Sequence, residues 1–102
     1  MHPFVQEKLP QIVALCRRYH VRRLDLFGSA TGDRFDPGRS DVDFVLEYLP
    51  EAKPLYPDAY FGLKEDLEAL LGRHVDLVMI NAVRNPYFRE ELEETRVQLY
   101  AA

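Results

Sequence analysis

Apolar residues recur at spacings of three and four through the first twenty positions. Val5, Leu9, Ile12, Cys16 and Tyr19, with Val13 beside them, form one stripe, and that spacing predicts a helix. Over 22–27, Leu24 and Leu26 alternate with polar neighbours, which is the period of a strand. The strand stops at Gly28-Ser29. The stretch from Ala30 to Ser40 is polar and carries Gly32, Asp36-Pro37-Gly38 and Arg39, which is turn chemistry. Residues 41–49 predict a second strand, and Pro50, Pro54 and Pro57 predict an extended linker after it. Tyr60, Leu63, Leu67, Leu70 and Leu71 mark a second helix, with Gly72 as its C-cap. Residues 75–80 form a short apolar strand interrupted by Asp76. Asn85-Pro86 then supplies the N-cap and first position of a last helix, with Phe88, Leu92 and Leu99 on its stripe. Residues 97–100 suit either the end of that helix or a closing strand.

Helix, strand, loop, strand, helix, strand, helix is the order of an α/β (α+β) layer. We expect a small mixed sheet of three to four strands, covered by helices largely on one side. A chain of 102 residues, with 47% hydrophobic and 29% charged positions, fits one domain over 1–102 and excludes a disordered or collagen-like chain. The apolar runs are too short to span a membrane, and no secretory signal opens the chain, so a cytoplasmic location is expected. Thirteen Lys and Arg against 17 Asp and Glu give a net charge of −4. That lacks the basic excess by which a stand-alone nucleic-acid binder neutralises phosphates, so no direct nucleic-acid partner is expected. The single Cys16 falls on the helical stripe, where a thiol acts as a small buried hydrophobe.

Three aspartates, Asp41, Asp43 and Asp76, sit in otherwise apolar strands. A buried, unpaired carboxylate costs several kcal/mol, so each needs a reason. Asp41 and Asp43 share one face of their strand, with Cα atoms about 6.6 Å apart at about 3.3 Å per residue. If the second and third strands are neighbours, Asp76 joins them at one end of the sheet. No Lys or Arg lies inside those two strands to neutralise the cluster. Like charges ~4 Å apart repel by ~4 kcal/mol at an effective dielectric of 20. A divalent cation relieves this, and oxygen-only donors suit Mg²⁺, which completes its shell with water and phosphate. Two such ions can clamp the attacking and leaving oxygens of a phosphoryl displacement. Gly28, without a Cβ, lets backbone N–H groups approach a phosphate, and the Ser29 hydroxyl adds a donor.

The sequence Leu26-Phe27-Gly28-Ser29, followed by Ser40-Asp41-Val42-Asp43-Phe44-Val45, resembles the nucleotidyltransferase superfamily of DNA polymerase beta type. It is most similar to the minimal nucleotidyltransferase (MNT) domains, and the resemblance extends through Asp76 and the Asn85-Pro86-Tyr87-Phe88 helix. It implies that Gly28 and Ser29, with Ser40 beside them, bind the phosphates of ATP. It implies that Asp41 and Asp43 hold two Mg²⁺ ions, with Asp76 at the same metal site activating the attacking hydroxyl. Eleven residues separate Ser29 from Asp41, one more than the family's usual spacing. Minimal nucleotidyltransferases commonly pair with HEPN ribonuclease toxins and transfer AMP to a toxin tyrosine. The resemblance therefore implies an antitoxin with a HEPN partner. Neutralisation by binding alone, and transfer to a small molecule in a homo-oligomer, stay open.

Outside this set the residues read as structural. Asp25 alternates with Leu24 and Leu26 and is expected to face solvent. Arg39 is either a phosphate contact or a loop arginine. Lys53 and the basic cluster of Arg17, Arg18, Arg22 and Arg23 read as solvated charges. His2, His20 and His74 lack ligand spacing with one another and read as surface residues.

Overall fold

The structure, a computed structural model, describes residues 3–31 and 41–102, with the backbone alone at 29 and 30. Two helices open the chain, α1 at Pro3–Gln6 and α2 at Leu9–Arg18. The predicted apolar stripe holds, but it is shared by two helices and not one. Lys8 and Pro10 mark the break, where α2 starts anew with proline in its first turn. Strand β1, Val21–Phe27, leads into a 3₁₀ turn at Gly28–Thr31. Strand β2 covers Val42–Tyr48, α3 covers Asp58–Leu71, and β3 covers Val75–Met79. Helix α4, Pro86–Thr95, and strand β4, Val97–Ala101, close the chain, so residues 97–100 are strand. The proline-rich segment is not an extended linker: Pro50–Leu55 forms a 3₁₀ helix with Pro50 in its first turn. No helix among the described residues is long and apolar enough to cross a membrane.

The sheet has four strands in the order β3-β2-β1-β4. Strand β1 pairs antiparallel with β2 and with β4, whereas β2 and β3 are parallel and joined by the α3 crossover. This is the mixed α+β layer expected from the element order. Gly72 ends α3 in the left-handed region at φ 68°, and its N–H donates to Glu68 O. Asn85 caps α4, its side-chain oxygen accepting from the N–H groups of Tyr87 and Phe88.

One face of the sheet carries the core. Leu24 and Leu26 of β1, Val42, Phe44 and Leu46 of β2, and Val75 and Leu77 of β3 bury against Ile12, Cys16, Leu63 and Leu67. Burial pushes the Cys16 thiol up to about 12, so it stays a protonated hydrophobe. Helix α3 also covers the open edge of β3. Glu68 Oε2 accepts from Val75 N at 3.1 Å, and the Tyr60 hydroxyl donates to Leu77 O at 2.5 Å. These bonds occupy edge groups that would otherwise template another strand.

The opposite face is covered as well, which the sequence did not lead us to expect. Helix α4 lies across it: Phe88 meets Phe27 edge-on at 5.8 Å, and Leu92 and Val45 are buried there. Asp25 is therefore not solvent-facing. It does point away from Leu24 and Leu26, but that side is covered, and its carboxylate is fully buried. Arg96, the residue that caps the end of α4, donates to Asp25 Oδ2, and Arg23 Nε donates to Asp25 Oδ1 at 2.9 Å. Arg23 is thus a pairing residue and not a free surface charge. Removing one partner of a buried ion pair strands the other, which costs about 3–5 kcal/mol. We expect Asp25→Ala to lose about that much stability in urea unfolding; a loss under about 1 kcal/mol would contradict the role given to this pair.

Candidate active site

The site is set by where three strands end. Phe27, the last residue of β1, lies opposite Asp43 of β2, and Asp43 lies beside Asp76 of β3. Strand alternation puts Val42 and Phe44 in the core, so Asp43 faces the other way, toward the α4 side with Phe27. Asp76, between the core residues Val75 and Leu77, does the same. Asp41 immediately precedes β2 and is exposed. The expected convergence of Asp41, Asp43 and Asp76 is therefore present.

Gly28 is required here for a reason beyond phosphate approach. Its φ of +75° is one that side-chain-bearing residues rarely adopt, and a Cβ at this position would lie 2.5 Å from Asp43 Oδ2. The turn out of β1 is thus pressed against the carboxylate it presents. Beside the pair lies a cavity of about 500 Å³. It is lined by Asp43 and Asp76, by the aromatic rings of Phe27, Tyr60 and Phe88, and by Lys64.

Crowding marks Asp43 electrostatically. Its carboxyl is pushed up to about 6, first by desolvation, then by the hydrogen bond and charge of Asp76 and by the charge of Asp41, with His74 opposing. The Lys64 ammonium is directed to Glu68, at 3.9 Å, and not to the pair. The donors at this sheet end are carboxylate oxygens in excess of nearby positive charge, the set that suits a hard divalent cation. Asp41 and Asp76 each offer a ligand atom there, and Asp43 lies beside Asp76 on the same rung.

The expected phosphate ligands are less fully placed. Ser29 lies in the 3₁₀ turn directly after Gly28, and only its backbone is described. Ser40, Arg39 and the rest of residues 32–40 lie outside the described residues, as does His2. Lys53 is exposed, as expected. His74 was missed. Asp41, His74 and Asp76 each offer a ligand atom, all within 4.8 Å of one another. The available signal was its position two residues before Asp76, hence on the same strand face. Tyr60 and Lys64 were also missed, because helical periodicity gave Tyr60 only as a core position and gave no reason to single out Lys64.

Two outcomes follow for the metal-free protein. A carboxyl whose pKa is raised on folding holds its proton more tightly in the folded than in the unfolded chain. Its contribution therefore favours the fold in acid and is lost as pH rises from about 4 through about 6. Asp43→Asn should flatten the stability profile in that window, measured by urea unfolding at a series of pH values; an unchanged slope would show that Asp43 is not the titrating group. Gly28→Ala should displace the Asp43 carboxylate and cost both stability and activity, and a variant with wild-type melting and turnover would refute the contact.

Comparison with known proteins bears on the family and the fold. Residues 10–99 match the family model of the nucleotidyltransferase domain. A protein of Methanocaldococcus jannaschii named "Putative protein adenylyltransferase" is 36% identical over 78 residues, covering 76% of this chain and 75% of its own. A solved structure of a "putative minimal nucleotidyltransferase" superposes with a TM-score of 0.70 at 27% identity, over 91% of this chain and 90% of that one. The fold also matches a chain from a complex of tri-AMPylated Shewanella oneidensis HEPN toxin with MNT antitoxin, with a TM-score of 0.64 at 20% identity. That match covers 95% of this chain and 72% of the other. With the family model spanning nearly the whole chain and a relative 36% identical over most of it, this protein belongs to the nucleotidyltransferase domain family and is a nucleotidyltransferase.

Proposed function

We propose that this nucleotidyltransferase moves AMP from ATP to a tyrosine of a HEPN-type toxin and so acts as its antitoxin. The observation that carries the reading is the convergence of Asp41, Asp43 and Asp76 at the end of β1, against Gly28. The similarity to proteins named as protein adenylyltransferases supports AMP as the transferred group and a protein as the acceptor. The solved complex of an AMPylated HEPN toxin with its MNT antitoxin supports the class of partner.

Each residue then has a role. Backbone N–H groups at Gly28 and Ser29, with the Ser29 and Ser40 hydroxyls, hold the triphosphate. Asp41 and Asp43 hold Mg²⁺, with Asp76 beside them. Bound there, the metal supplies neutralisation of phosphate charge on the reacting and leaving oxygens. Asp76 is half exposed, with 53% of its side chain open, so an acceptor hydroxyl can reach it from outside. It takes the phenolic proton as the tyrosine oxygen bonds to the α-phosphorus and the bond to pyrophosphate breaks. The aromatic walls of the adjoining cavity, Phe27 and Phe88, suit a phenol ring. Most of the acceleration comes from holding the reactants in line and matching charge.

The test is the intact mass of a HEPN protein supplied as acceptor, after incubation with the chain, Mg²⁺ and each nucleoside triphosphate in turn. One or more AMP units should be added from ATP, and none with Asp41→Asn or Asp43→Asn. Asp76→Asn should slow transfer by about 10²–10⁴-fold, the usual worth of a general base. A tight complex with no mass gain from any triphosphate would replace this reading with neutralisation by binding alone.

A further inference from the structure

The carboxylate cluster has a fourth corner that is not a carboxylate. Strands β2 and β3 run in parallel register, with Val42 beside Val75 and Asp43 beside Asp76. At the start of that register Val42 N donates to His74 O at 3.2 Å, which ties His74 to the beginning of β2. Asp41 precedes Val42 and His74 precedes Val75, so the four side chains form a two-by-two grid, with Asp41 and His74 in one row and Asp43 and Asp76 in the next. His74 and Asp76 lie two apart on one strand and share a face.

The imidazole is aimed from both sides. Its Nε2 lies 3.2 Å from Asp76 Oδ1, inside the grid. Its Nδ1 lies 3.1 Å from Glu68 Oε2, outside it. Glu68 is itself fixed, because the same oxygen accepts from Val75 N at the edge of β3. A histidine that binds a metal through one nitrogen almost always gives its other N–H to a carboxylate, a backbone carbonyl or water, which sets ring orientation. Here α3 supplies the carboxylate. The ligand atoms of Asp41, His74 and Asp76 lie within 4.8 Å of one another. Two ligands on one ion stand at most about 4.2 Å apart with bonds of about 2.1 Å. Half of the His74 side chain is open to solvent, so a shift of a few tenths of an ångström closes the gap.

We infer that His74, oriented by Glu68, is a ligand of the cation held at this sheet end, and that the site therefore favours a first-row transition-metal ion over Mg²⁺. This rests on the carboxylates being a cation site. The chemistry follows from the donor set: Mg²⁺ takes oxygen ligands, and replacing one with imidazole nitrogen shifts preference toward ions that imidazole suits, such as Fe²⁺ and Zn²⁺.

Mn²⁺ with inorganic tripolyphosphate, which contains no nitrogen, is the probe, read by pulsed electron paramagnetic resonance on the wild-type chain. We expect a ¹⁴N coupling typical of a bound imidazole, lost in His74→Ala. Mn²⁺ affinity, measured by titration, should fall about tenfold or more in that variant and in Glu68→Gln, the usual worth of a ligand's orienting partner. Mg²⁺ affinity should change by less than about twofold in His74→Ala. Bound Mn²⁺ with no ¹⁴N coupling, and equal affinity in His74→Ala, would overturn the inference and leave the carboxylate site standing. No Mn²⁺ binding by the wild-type chain, even with tripolyphosphate, would overturn both.

Discussion

Two carboxylates are held side by side on adjacent parallel strands, and the rest of the molecule is organised around keeping them there. Asp43 and Asp76 occupy one rung of the β2–β3 ladder. Parallel strands cannot be joined by a tight turn, so this rung requires the α3 crossover between them. Helix α3 does more than connect. Its apolar side fills the core through Leu63 and Leu67, while Tyr60 and Glu68 occupy the open edge of β3. The strand bearing Asp76 is thereby fixed on both edges, and the repulsion between the two carboxylates cannot be relieved by sliding it away. Burial first, and this repulsion after it, raise the pKa of Asp43.

The two faces of the sheet divide the work. The α2–α3 face is a continuous apolar core that fixes strand register. The α4 face carries every group with chemistry: Asp43 and Asp76 at the open end, Asp25 farther along β1. Helix α4 is tied at both ends. Phe88 rests on Phe27 near its start, and Arg96 reaches the buried Asp25 at its finish. Phe27 is also the residue before Gly28, so the helix, the turn out of β1 and the Asp43 carboxylate meet within a few residues. Acids carried on strand ends, as Asp43 and Asp76 are, have fixed positions before any substrate arrives.

Much of this was legible in the sequence, and the parts that were not share a cause. The strand and helix periods, the Gly72 C-cap, the Asn85 N-cap and the pairing of Asp41 with Asp43 on one face are local facts, readable within one element. Two errors came from properties that no single element contains. Alternation placed Asp25 on the correct side of β1, but what covers that side is decided by α4, some seventy residues on, through Arg96. His74 looked like an element-end histidine because its neighbours in the site, Asp41 and Glu68, come from another strand and from a helix. Tertiary placement decides both cases, and a lone sequence states the period of a strand without stating what packs against it. The 3₁₀ helix at Pro50–Leu55 was missed for a different reason: prolines exclude α-helix and sheet ladders but not a short 3₁₀ turn.

The central claim is that the acids at this sheet end are held together against their own repulsion and are completed by a cation. Thermal unfolding at neutral pH of the wild-type chain and of Asp43→Asn, each with and without saturating Mg²⁺, addresses it directly. The variant keeps the side-chain shape and removes the charge. Without metal, Asp43→Asn should melt higher than wild type. With metal, wild type should rise as expected for a ligand that binds only the folded state, while the variant should barely move. A metal-free variant that melts lower than wild type, or equal metal responses in the two proteins, would contradict the account.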